Sequence, residues 1–90
     1  MIIVCGHLRA VPGRRERLLE LSAQAVAAAR QTEGCRDYAV SPDLLDPDRV
    51  NIFELWDSPA ALAAFRNQGP DDDLGSLIAA YAVREFTVMA

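Results

Sequence analysis

The apolar positions of this chain fall into alternating runs and helically spaced sets that succeed one another from end to end. Ile2 to Ala10 opens with β-branched residues and reads as a strand. Val11-Pro12-Gly13 is a turn. From Arg14 to Thr32 the positions Leu18, Leu21, Ser22, Ala25, Val26 and Ala29 share one helical face. Gly34 supplies the stop expected just past a helix end. Cys35 to Ser41 predicts a second strand. Pro42 to Asp48 connects it, turning at Asp46-Pro47-Asp48, to a third from Arg49 to Asp57. Ser58 is the expected N-cap of a second helix, with Pro59 at its first position and Leu62 and Phe65 facing inward before Asn67. Gly69-Pro70 breaks that helix. Asp71-Asp72-Asp73 then leads a further helical segment, Leu74 to Ala80, where acids suit the N-terminus. Tyr81 to Met89 alternates Val83, Glu85, Thr87 and Met89 against Ala82, Arg84, Phe86 and Val88, and predicts the last strand.

The third strand sets the architecture. Val50, Ile52, Glu54 and Trp56 point one way, and Asn51, Phe53 and Leu55 the other. A strand apolar on both sides is covered on both sides. The order strand, helix, strand, strand, helix, strand is the ferredoxin-like βαββαβ unit of the α+β class. Right-handed crossovers put both helices on one face of a four-stranded antiparallel sheet. Val4, Cys5, Phe53, Leu55, Val83 and Val88 put apolar residues on both faces of the sheet, the bare one included. A second copy of the chain is the expected cover, giving a homodimeric α+β barrel. Residues 1–90 form one domain, too small to bury more than about 60 to 65% of its unfolded surface. With 51% hydrophobic residues, such a chain favours a core shared between copies.

The net charge of −4 argues against nucleic acid and anionic membrane surfaces as partners. Arg14, Arg15 and Arg17 read as a solvated face at a helix start. Cys5 and Cys35 lack metal-ligand spacing and are expected to be reduced and structural, in the cytoplasm. Met1-Ile2-Ile3-Val4 lacks the basic start of a signal peptide. No apolar run is long enough to span a bilayer.

A set of weak markers in fixed order now gains weight. Pro12-Gly13 precedes the first helix. Arg30, Glu33-Gly34-Cys35 and Tyr38 lead into the second strand, and Asp46-Pro47 lies in the hairpin. Glu54-x-Trp56-x-Ser58 ends the third strand, and Leu62 and Phe65 follow. In these pieces the chain resembles the antibiotic biosynthesis monooxygenase family of dimeric α+β barrels. The resemblance implies oxidation of phenolic or quinol-like substrates by O2 without flavin or metal, although other members handle signalling molecules or degrade haem. Many relatives carry a histidine nine residues after the tryptophan, where this chain has Phe65. With no histidine after His7, the haem-degrading branch is disfavoured.

Nucleotide and metal motifs are missing, and Asp71-Asp72-Asp73 has no further acid spaced to complete a cation site. His7, the sole histidine, is the expected base, because its ordinary pKa lies near neutrality. Trp56 is placed to stack on a planar substrate and offer its N–H to a developing oxyanion, or else to anchor the core. Asn51 is a candidate donor to a substrate carbonyl, and Tyr38 and Phe65 are expected to line the substrate site. Glu54, an acid in an apolar strand, needs a partner. Arg84, Arg36 or an arginine of a second copy are candidates for an ion pair, which competes with a general-base role. Arg30 meets the first helix's dipole. The alanines of that helix allow either close approach to the sheet or room for a pocket.

The sequence thus points to a cofactor-independent oxygenase of a small aromatic molecule, with His7, Trp56 and Asn51 as catalytic candidates and no metal or cofactor. Two other readings stay open. One is an isomerase or cyclase on the same barrel, and the other a non-catalytic dimeric binder of small molecules.

Overall fold

Ser58 accepts a hydrogen bond from the Ala61 N–H at 3.2 Å, and Pro59 follows it, so the second helix starts where its cap dictates. The computed structural model describes residues 1–68 and 72–89. Its elements are β1 (Ile2–Ala10), α1 (Arg15–Arg30), β2 (Cys35–Pro42), β3 (Arg49–Trp56), α2 (Pro59–Arg66), α3 (Asp72–Ser76) and β4 (Ile78–Thr87). Gly69, Pro70 and Asp71 lie outside the described residues, as do the side chains of Asp72 and Asp73. The expected helix break and acidic cluster fall there.

The strands form one sheet in the order β2-β3-β1-β4, with every neighbour antiparallel. This is the ferredoxin-like α+β fold, with the helices on one face. Ile2 pairs with Trp56, Val4 with Glu54 and Leu8 with Val50, so these positions share the helix-covered side. Two clusters fill the space between. Ile2, Val4, Trp56 and Leu62 pack with Ala29 at one end, and Ala10, Leu18, Val50 and Leu77 at the other.

The largest departure from the sequence expectation lies near the C-terminus. The helical segment ends at Ser76 and β4 begins at Ile78, three residues before the expected Tyr81. The end of β1 needs backbone partners, and this segment provides them. Val11 N–H donates to the Leu77 carbonyl at 2.8 Å, and a bulge after Arg9 lets Ala10 pair with Ile78. Leu77 is buried between them. The helix α1 is trimmed to Arg15–Arg30, with Arg14 and Gln31 as its caps. Gly34 has φ of 89°, and a Cβ there would lie 2.5 Å from that of Ala61, so only glycine lets β2 begin against α2.

The loop between β2 and β3 is unusually well tied. Asp43 accepts from the N–H groups of Leu45 and Asp46 and from the Asn51 amide at 3.0 Å. Arg15 does not join a solvated basic face. It reaches over to donate to the Asp46 carbonyl at 2.8 Å and, at longer range, to the carbonyls of Asp43 and Arg49. Arg14 and Arg17 are exposed, as expected. Asp43 is held down to about 2, first by the Asn51 hydrogen bond, then by the two loop N–H groups, with Arg49 adding. A depressed carboxyl contributes stability that is present above its ordinary pKa and lost as pH falls through the folded value. Asp43→Ala should therefore lower Tm by roughly a few degrees above pH 4. In a thermal-unfolding series the gap to the parent should close as pH falls toward about 2. A gap that stays constant through that window would show that the ionised carboxylate does not hold the loop.

Candidate functional site

Two positions apart on one strand means one face, so Glu54 and Trp56 both turn under the helices. Trp56 is fully buried, and its indole Nε1–H donates to Glu54 Oε1 at 2.9 Å. From β2, Tyr38 pairs with Glu54 across the sheet. Alternation alone would place Cys35 and Tyr38 on opposite faces. A register shift between Cys35 and Asp37 brings both to the helix side. From α2, Phe65 lies 5.2 Å from Trp56 and 5.7 Å from Tyr38, ring centre to ring centre. Tyr38 meets Trp56 edge-on at 6.5 Å. Arg30 ties this corner to α1, its Nε donating to the Tyr38 carbonyl at 3.0 Å.

Burial pushes the Glu54 carboxyl up. The Trp56 hydrogen bond and the Arg66 charge pull it back, and Glu85 raises it further. Glu85 belongs to the same row: Val4 pairs with Glu54 on one side and with Glu85 on the other. Arg66 bonds Glu85 at 2.6 Å rather than Glu54. The arginines expected to partner Glu54 are elsewhere in the molecule. Arg36 pairs with Asp57, and Arg84 stands opposite Cys5 on the far face. Burial, then Glu54, pushes the Tyr38 phenol up to about 12, so it stays a neutral donor near pH 7. The Cys35 thiol is raised by the same two causes in the same order. Arg66 and Glu85 drew no attention in the sequence, although the alternation of Glu85 with Val83 and Thr87 was the signal that places it here.

The structure gathers Trp56, Tyr38 and Phe65. It sets His7 and Asn51 apart, as cross-strand partners on the opposite, bare face. Asn51 is engaged there, its Oδ1 accepting from Arg49 at 2.7 Å and its amide donating to Asp43. The candidate residues therefore do not form one site. Beside the aromatic cluster, a groove of about 260 Å³ is lined by Ile2, Leu62, Arg66 and Glu85 among others. A second, of about 540 Å³, runs between α1 and β2 along Ser22, Ala23, Val26, Ala27 and Val40. The alanines of α1 thus do both things left open by the sequence. Ala29 closes on the core, and the middle of the helix leaves room.

The bare face carries Ile3, Cys5, Phe53, Leu55 and Phe86 in register. Phe53 and Phe86 are 37% and 48% exposed. Cys5 and Cys35 are both free and lie on opposite sides of the sheet. Among the described residues no group of three or more His, Cys, Asp or Glu is arranged to hold a metal. No described helix is long and apolar enough to cross a membrane.

The family model described as antibiotic biosynthesis monooxygenase matches residues 1–70. An uncharacterized Synechocystis protein is 30% identical over 61 residues, which is 68% of this chain. The chain spans 42% of that relative's length, less than half. Among solved structures, a Chloroflexus aurantiacus protein named provisionally for the same family is similar at 30% identity. The match covers 99% of this chain and 93% of that one, with a TM-score of 0.84. A Deinococcus radiodurans protein with the same provisional name matches at 28% identity, 100% and 94% coverage and a TM-score of 0.86. A Nitrosomonas europaea structure shares the fold at 13% identity, full coverage of both chains and a TM-score of 0.89.

The buried acid gives a stability prediction with a definite sign. A carboxyl whose folded pKa is raised favours the folded state below its ordinary pKa, and that contribution is lost as pH rises through the folded value. Glu54→Gln keeps an oxygen for the Trp56 N–H and has no charge to bury. It should raise Tm by roughly a few degrees at pH 8, and the gain should vanish below about pH 4. Equal Tm values at pH 8 would mean that the ionised acid costs nothing where it sits.

Proposed function

Because the chain belongs to the antibiotic biosynthesis monooxygenase family, we propose that it is a cytoplasmic, homodimeric, cofactor-independent oxygenase of an aromatic or quinol-like small molecule. The observation that carries this reading is the aromatic corner of Trp56, Tyr38 and Phe65 around a buried carboxylate. Aromatic side chains hold a flat, electron-rich ring by offset and edge contacts. A neutral phenol is a donor suited to oxygen that gains negative charge. For an anthrone the overall change is CH2 + O2 → C=O + H2O. The substrate supplies the electrons and O2 accepts them.

In this reading the second copy covers the bare face, shielding Ile3, Cys5, Phe53, Leu55 and Phe86 from water. His7 and Asn51 then lie between the two sheets, away from the substrate bound at Trp56. A non-catalytic binder is the runner-up, favoured by Phe65. It packs on Trp56 at the position where many family members have a histidine.

Oxygen uptake by metal-stripped protein, given a panel of hydroquinones and anthrones, tests the reading. Turnover should need no added cofactor, and Trp56→Phe should lower kcat/KM at least about ten-fold, near 1.4 kcal/mol of transition-state stabilisation. Tight binding without uptake would make the protein a binding module. Loss of uptake in His7→Ala, with Trp56→Phe unaffected, would move the chemistry to the other face.

Assembly has its own test. Phe53→Glu should convert the dimer to monomer in sedimentation equilibrium. A charged variant that stays dimeric would remove the bare face as the interface.

A further inference from the structure

We propose that Glu54 is the proton acceptor of this site, taking a proton from an acidic C–H or O–H of a carbon acid or phenol bound beside Trp56. The proposal rests on the oxygenase reading only for the substrate class. Glu54 is the sole charged residue buried among the described ones. Acids in that position are ordinarily matched by a cation. Here the nearest basic group on α2, Arg66, is bound to Glu85, and among the described residues no arginine lies within ion-pair distance of Glu54. Four other acids of the described chain do have an arginine: Asp43 has Arg49, Asp46 has Arg9, Asp57 has Arg36 and Glu20 has Arg17.

The carboxylate is also held in a usable state. Trp56 occupies Oε1 and fixes the side chain. Oε2 has no hydrogen-bond partner among the described residues. The groove beside this corner is lined by Arg66 and Glu85, the two charges that act on Glu54. A carboxylate with one oxygen anchored and the other without a donor among the described residues is arranged to receive a proton. The proton moves from substrate carbon or oxygen to Oε2, and the bonding pair stays on the substrate as enolate or phenolate. Glu54 becomes a neutral acid and the net charge of the site does not change.

The groups facing Glu54 are Tyr38 and Cys35 from β2, Arg66 from α2, Glu85 from β4 and Trp56 on its own strand, and Arg30 of α1 acts on Cys35. Tyr38 and Cys35 both keep their protons at neutral pH. Burial makes Glu54 a stronger base than an ordinary carboxylate, as proton abstraction near neutrality requires.

Deuterium exchange at the C10 methylene of anthrone, followed by NMR in D2O under argon, reads this step without oxygen chemistry. The wild-type protein should accelerate exchange at least ten-fold over buffer at neutral pH. The rate should climb as Glu54 ionises, with a midpoint above the ordinary carboxylate range. Glu54→Gln, which retains an acceptor for Trp56, should bring exchange to within about two-fold of buffer and abolish that pH step. Glu54→Asp keeps a carboxylate set back by one methylene and should retain part of the rate, which separates lost chemistry from lost fold. Acceleration that survives in Glu54→Gln, no acceleration by the wild type, or loss in His7→Ala alone would each overturn the proposal. Exchange that depends on Glu54 without any oxygen uptake would support the proton acceptor while rejecting the oxygenase.

Discussion

A carboxylate placed under a helix has lost water and must be given a donor, and Trp56 gives one to Glu54 from two residues along the same strand. That single hydrogen bond fixes both the largest buried side chain and the buried charge of the described structure. Leu62 of α2 packs on the indole and Phe65 stacks beside it, so the second helix takes its seat from the same ring. Tyr38 closes the corner from β2 and receives its own anchor from Arg30 of α1. The first two helices and three of the strands meet around one polar contact in an apolar setting.

The two faces of the sheet consequently have different characters. The helix-covered side holds the aromatic corner, the buried acid and the neighbouring Arg66–Glu85 pair. The other side is apolar along Ile3, Cys5, Phe53 and Phe86 and becomes polar toward the hairpin, where Asn51, Arg49 and Asp43 hold the loop. The polar end uses its hydrogen bonds internally, whereas the apolar end has nothing of its own described chain over it. In a small domain that asymmetry favours a shared interface, since one copy has too few helices to cover both faces.

Much of the fold was legible in the sequence, because periodicity and caps are local. The alternation of β3, the Ser58-Pro59 start of α2 and the glycine after α1 each act over a few residues, and each reappears in the structure. The candidate site was only partly legible. Trp56, Tyr38 and Phe65 do come together, yet His7 and Asn51 lie across the sheet from them. Their face follows from the pairing register, and a one-residue shift exchanges faces. Bulges at Arg9/Ala10 and Cys35/Asp37 show how readily that register changes without a clear sequence signal.

The sequence by itself determined the element order, the βαββαβ class and the presence of an acid and an indole on one face of β3, since these depend on spacing along the chain. Only the tertiary structure decided who partners whom. Arg15 serves the hairpin loop, Arg66 pairs with Glu85, and Glu54 is bonded to Trp56 without a cation. β4 starts early because the last residues of β1 need backbone partners that lie far away in sequence. Such choices are settled by competition among groups from distant segments for the same donors and the same buried space, and that competition exists only once the chain has folded.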